Sequence, residues 1–164
     1  MAKALGHSWG QKLGEVLEAG VVSLLENFAK KHELYLDKTG KRPARPGKRV
    51  RWKDVYGNTH SLDCVLERGG SPSKIGAPVA FIETAWRGYT KHSRNKAQEI
   101  QGAILPLVST HRNSAPFMGA ILAGVFTEGA LQQLKSLGFV VLYITSLLSK
   151  TNGIWTRDAE LKPV

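Results

Sequence analysis

The sequence predicts an α/β fold, a mixed central sheet flanked by helices. Three observations predict it. Apolar residues recur at helical spacing over residues 8–32, two short apolar runs each carry one acid, at Asp63 and at Glu83, and two later apolar runs, 116–126 and 139–145, are continuous and joined through a helical stretch. The continuous runs have the pattern of parallel neighbours buried on both faces. The earlier ones are partly alternating and hairpin-like, which fits antiparallel pairing.

Taken in order, Leu13, Val16, Leu17, Val21, Leu24, Leu25 and Phe28 give the helix over 8–32 one apolar face, with Ser8 as its N-cap. Gly14 and Gly20 interrupt it and point to close packing. Residues 37–48 form a basic Gly/Pro loop, readable either as a solvated connection or as a clamp on a phosphate backbone. Residues 49–55 and 60–67 form a hairpin turned at Tyr56-Gly57-Asn58-Thr59, 68–77 a loop, and 78–85 the next strand. Ser93 caps a helix of about 94–109, with Ile100, Ala103, Ile104 and Leu107 facing the core and Pro106 implying a kink or an early end. A buried strand over 116–126 follows, then a helix from its cap Thr127 through Leu137 to the stop at Gly138, then a buried strand over 139–145. The tail, 146–164, is polar and weakly patterned, consistent with a truncated domain end. The chain reads as a single domain, 1–164, with its core in 8–145 and no internal repeat.

A chain of 164 residues can bury a substantial core, and 42% hydrophobic residues exclude a disordered chain. No apolar run approaches the length of a membrane span, and the N-terminus lacks a signal-peptide stretch. The single cysteine, Cys64, excludes an internal disulfide and a cysteine-based zinc site. Its strand position suits a buried small hydrophobe, and a cytoplasmic location fits. Lys and Arg number 23 against 13 Asp and Glu, a net +10 that favours a polyanionic partner over simple solubility charge.

A carboxylate in a buried strand is expensive unless it is paired, neutralised or bound to a cation. Alternation projects Asp63 opposite Leu62, Cys64 and Leu66, and Glu83 ends its run after Ile82. On neighbouring strands the two carboxylates can hold Mg²⁺, or Mn²⁺ as a substitute, with a backbone carbonyl and waters completing the shell. Such an ion polarises a phosphodiester and acidifies a bound water. Taken singly, each acid also reads as a surface residue or the partner of an arginine. Behind Glu83 lies a basic segment in which Arg87, Lys91 and Arg94 are expected to contact phosphates, while Trp86 packs into the core. His92 is a lone candidate base, and the five histidines have no zinc-ligand spacing. The glycine-rich stretches lack the phosphate-loop pattern, so no nucleotide cofactor is expected.

The first helix, the Asp63 strand, Glu83-Thr84-Ala85 and the helix starting near Ser93 together resemble the PD-(D/E)XK superfamily, the restriction-endonuclease-like nucleases, over roughly residues 8–145. The resemblance implies a restriction-endonuclease-like fold and Mg²⁺-dependent hydrolysis of DNA phosphodiesters by a deoxyribonuclease of the restriction type. It makes Asp63 and Glu83 metal ligands, with the Thr84 carbonyl another, and it implies an acid from the first helix. Glu18 lies at the edge of that helix's apolar face, whereas Glu15 points away.

Two positions depart from the family. Leu62, before the first acid, is not its proline, and its motif lysine falls on Ala85. Three readings follow. The cation is Lys96 in the first turn of the next helix, with Lys91 and Arg87 as rivals. Gln98 shares the role. Or the site is degenerate and the chain is a catalytically inactive DNA-binding module. The leading expectation is an endonuclease acting on double-stranded DNA through Asp63, Glu83 and Lys96, as a homodimer because duplex cleavage needs two sites. A basic RNA-associated protein and a metal-free phosphodiesterase using His92 are the other classes.

Overall fold

The computed structural model describes residues 2–114, 116–145, 149–151 and 154–156, with side chains for 10–114 and 116–145. A long helix, α1 (Ala2–Lys31), opens the chain and is followed by β1 (Leu34–Lys38), β2 (Val50–Lys53), β3 (Thr59–Leu62), β4 (Cys64–Arg68) and β5 (Ala77–Arg87). Then come α2 (Ser93–Thr110), β6 (Phe117–Gly124), α3 (Glu128–Ser136), β7 (Val140–Ile144) and a small antiparallel pair, β8 (Ser149–Thr151) with β9 (Ile154–Thr156). The main sheet has five strands in the order β1-β4-β5-β6-β7. The β1–β4 and β4–β5 pairs are antiparallel, and β5–β6 and β6–β7 are parallel through α2 and α3. The protein is therefore α/β, with a mixed sheet flanked by helices. Of the weakly patterned tail expected over 146–164, residues 149–151 and 154–156 form the β8–β9 pair, and the rest lies outside the described residues.

Alternation along β5 sorts the two faces. Phe81 and Ala85 join Ala97, Ile100, Ile104 and Leu107 of α2 and Ala130, Leu131 and Leu134 of α3 in the larger core. Ala80 and Ile82 point the other way, toward Ala29 of α1. The β2–β3 ribbon contributes Val50, Trp52 and Leu62 to the α2 side. Among the described residues no helix is long and apolar enough to cross a membrane.

Several expectations change. Residues 37–38 belong to β1, a strand whose signal is masked because only Leu34 and Leu36 alternate before Asp37 and Lys38. The run over 60–67 is two strands in two sheets, broken at Asp63, so Leu62 packs beneath α2 while Cys64 and Leu66 pack beneath α1. Strict alternation through Asp63 does not hold across that bend. Helix α1 begins before Ser8, which is thus inside it rather than its cap. On α1, Leu17 and Val21 are buried as expected, but Val16, Leu24 and Phe28 are 65%, 72% and 47% exposed. They lie on the flank turned toward β6 and β7, because Val21 packs on Ala123 of β6 while Glu26, on the opposite flank, pairs with Lys38 of β1. Open space surrounds Gly14 and Gly20, so close packing is not their role.

Ser93 is the first helical residue of α2 rather than its cap; it is fully buried and its hydroxyl donates to Thr90 O at 2.9 Å. Helix α2 runs through Pro106 to Thr110 instead of ending early. Thr127 does cap α3, its Oγ1 accepting the Ala130 N–H at 3.3 Å.

Candidate metal and nucleic-acid site

The pairing of β4 with β5 stops at Cys64 opposite Ile82, while β5 continues to Arg87 against β6 alone. Beyond Ile82 the β4 side of β5 is vacant, and Asp63 fills it. The Thr84 N–H donates to Asp63 Oδ2 at 2.8 Å and the Thr84 hydroxyl to the same oxygen at 3.0 Å. The Asp63 N–H donates to Glu83 Oε1 at 3.2 Å. In an extended strand the N–H and C=O of one residue point to the same side, so the Thr84 carbonyl also faces Asp63.

Glu83 is 6% exposed. Burial first, and then the neighbouring Asp63 carboxylate, push its carboxyl up to about 7, against the pull of Lys96. Lys96 reaches the pair from the first turn of α2: its Nζ is 3.6 Å from Glu83 Oε2 and 3.5 Å from Glu99 Oε2. Ala85 is buried in the core on the α2 side of β5, so the nearest cation to Glu83 comes from the adjoining helix.

A cleft of about 260 Å³ opens here between α1 and the end of β5, lined by Glu18, Asp63, Thr84, Trp86, Arg87 and Lys96 among others. Glu18 is half-buried, and burial, then Asp63, then Glu15 raise its carboxyl above the ordinary value. Glu15 is exposed. The approach of α1 depends on Gly10, where a Cβ would stand 2.7 Å from the Trp86 ring. Trp86 packs beside Leu17, Val21 and Ala123 and is a wall of the cleft as well as a core residue. Arg87 is half-buried and donates to Trp86 O at 2.9 Å. Lys91, His92, Arg94 and Gln98 are exposed outside the lining, and none of them contacts the carboxylates. The Cys64 thiol is pushed up to about 12, by burial first and then by Asp63, Glu18 and Glu83.

The donor chemistry fits a hard divalent cation. Two carboxylates and a backbone carbonyl offer only oxygen, and Asp63 adds its negative charge to burial in raising both the Glu83 and the Glu18 carboxyls. Among the described residues no group of three His, Cys, Asp or Glu side chains is arranged to hold a metal ion, so Glu18 lines the cleft without completing a cage. Three participants lay outside the sequence expectations: the Thr84 side chain that pins Asp63, Glu99 as the second partner of Lys96, and Gly10. No family model matches this chain, and neither a curated protein nor a solved structure matches it.

Proposed function

We propose that this protein is a Mg²⁺-dependent DNA endonuclease of the PD-(D/E)XK kind, hydrolysing double-stranded DNA as a homodimer. The observation that carries the reading is the Lys96 ammonium, 3.6 Å from Glu83, in a cleft shared with Asp63. It supplies from α2 the positive charge that Ala85 cannot.

Asp63, Glu83 and the Thr84 carbonyl would hold the ion, with Glu18 in the lining of the same cleft. A bound Mg²⁺ supplies Lewis-acid polarisation of the phosphate and acidifies a water beside it. The chain's own residues do the rest. Thr84 fixes the Asp63 carboxylate with two hydrogen bonds, so its orientation is set before substrate arrives. Lys96 Nζ donates to the attacking water or to the non-bridging phosphate oxygens, where negative charge develops. Arg87, at the cleft wall, Lys91, exposed just before α2, and Arg94, exposed in its first turn, would neutralise flanking phosphates.

The test is plasmid cleavage with Mg²⁺ or Mn²⁺ by wild type, Glu83→Ala and Lys96→Ala. Wild-type cleavage lost in both variants supports the reading. Duplex binding without cleavage by any of the three leaves the inactive DNA-binding module, in which Lys96 serves only as the bridge between Glu83 and Glu99. Cleavage that persists in EDTA overturns the metal-dependent mechanism.

A further inference from the structure

The β2–β3 ribbon carries a second basic surface outside the cleft. Val50 and Trp52 are buried, so alternation turns Arg51 and Lys53 outward, and exposed Arg49 continues their row. Their cross-strand neighbours Ser61 and Thr59 are small, polar and exposed. The row forms one wall of a groove of about 310 Å³ whose other wall is Ala44, Pro46 and Ile75, with no acid in its lining.

Buried charge holds this surface in shape. Asp37 and Glu67, both 1% exposed, take ion pairs from Arg42 and Arg45, whose side chains are 7% and 6% exposed. The guanidiniums then turn to the backbone that displays the row. Arg42 donates to Gly40 O at 2.6 Å, Lys48 O at 3.0 Å and Arg49 O at 3.4 Å, and Arg45 donates to Arg51 O. Arg45 also lies 4.9 Å from the centroid of the Trp52 ring. Glu67 Oε2 accepts the Gly76 N–H at 2.7 Å, tying in the loop that carries Ile75. Buried ion pairs are a poor way to gain stability compared with apolar packing. Here they fix the backbone under Arg49 and Arg51, leaving those two side chains and Lys53 free to meet a ligand.

We propose that Arg49, Arg51 and Lys53 form a preorganised contact for the phosphate backbone of duplex DNA, distinct from the cleft at Asp63. The inference rests on the endonuclease reading for the identity of the polyanion. Strand geometry spaces Arg51 and Lys53 about 7 Å apart on one face, Arg49 directly precedes the strand, and the ribbon base, where Val50 pairs with Leu62, adjoins Asp63 directly. A duplex entering the cleft thus meets the row beside it.

The experiment compares duplex binding by wild type and the triple variant Arg49→Gln/Arg51→Gln/Lys53→Gln across a salt series, using fluorescence anisotropy without divalent cation. A second triple variant, Lys30→Gln/Lys31→Gln/Arg112→Gln, removes the same charge elsewhere. The first triple should lower the slope of log K against log salt by about 2 to 3, since each phosphate contact contributes about 0.9. Circular dichroism and unchanged thermal unfolding certify its fold. An unchanged slope, or an equal loss in the second triple, overturns the proposal. So does a loss confined to single-stranded RNA. A slope lost only in the first triple, from a wild type that binds but never cleaves, upholds this contact while overturning the endonuclease reading.

Discussion

Glu83 should make the metal-free protein less stable as pH rises. Its carboxyl is raised from 4.5 to about 7 by burial and by Asp63, with Lys96 the opposing neighbour. The folded state therefore binds this proton more tightly than the unfolded chain. The stabilisation is full below about 4.5, is lost progressively as pH rises to about 7, and is gone above that. At about 1.4 kcal/mol per unit, the loss is about 3 kcal/mol. For a chain of this size, that is a shift in Tm of roughly 6–12 °C. Thermal unfolding in EDTA from pH 4.5 to 8, wild type beside Glu83→Gln, isolates the effect from other titrating groups. The variant's Tm should climb relative to wild type across that range. Millimolar Mg²⁺ at pH 8 should then raise the wild-type Tm more than that of the variant, by linkage to binding. Parallel pH curves for the two proteins would refute the burial and repulsion argument.

Four further outcomes follow from the packing. Cys64 should resist iodoacetamide at pH 8 until denaturant is added, because it is fully buried and its thiol is held protonated; labelling at the rate of a free thiol would contradict this. Gly124→Ala should destabilise by about 2 kcal/mol in urea titrations, since φ is +89° and the new Cβ would stand 2.2 Å from Arg87 O; a silent substitution would show that β6 relaxes there. Arg45→Met should cost about 3–5 kcal/mol by leaving Asp37 and Glu67 buried with too little positive charge, and a neutral result in the same titration would show that water reaches them. If the proposed homodimer forms through the exposed apolar flank of Val16, Leu24 and Phe28, Leu24→Asp should convert it to a monomer in sedimentation equilibrium. A wild type that sediments as a monomer throughout would remove the dimer.

The later half of the fold was legible because its signals are local. Continuous apolar runs mark β6 and β7, the Thr127 side chain caps its own helix, and Gly138 adopts φ +88° where α3 ends. The proximity of Lys96 to Glu83 was also accessible, since a helix that follows β5 brings its first turn back over the strand end. The earlier half was harder because its determinants are distant in sequence. Nothing near Arg42 and Arg45 announces that Asp37 and Glu67 will bury them, so a segment that reads as solvated loop encloses an ionic core. The break at Asp63 is invisible to alternation because hydrogen bonds to Glu83 and Thr84, some twenty positions on, make it. The apolar spacing of α1 marks its buried face but does not reveal that the sheet is too narrowly covered to receive Val16, Leu24 and Phe28.

The break at Asp63 also sets a distance. On the β3 side one residue joins the ribbon to the main sheet, and that residue is tethered by its N–H to Glu83 and by its carboxylate to Thr84. The ribbon cannot swing as a body without twisting the backbone at Asp63 and straining those tethers. Arg49, Arg51 and Lys53 therefore stand at fixed spans from the carboxylates, like graduations on a gauge whose zero is Asp63. A duplex gripped along the row would be registered against the cleft by covalent chain rather than by a flexible linker, and lengthening the chain by one residue at Asp63 would move the zero mark.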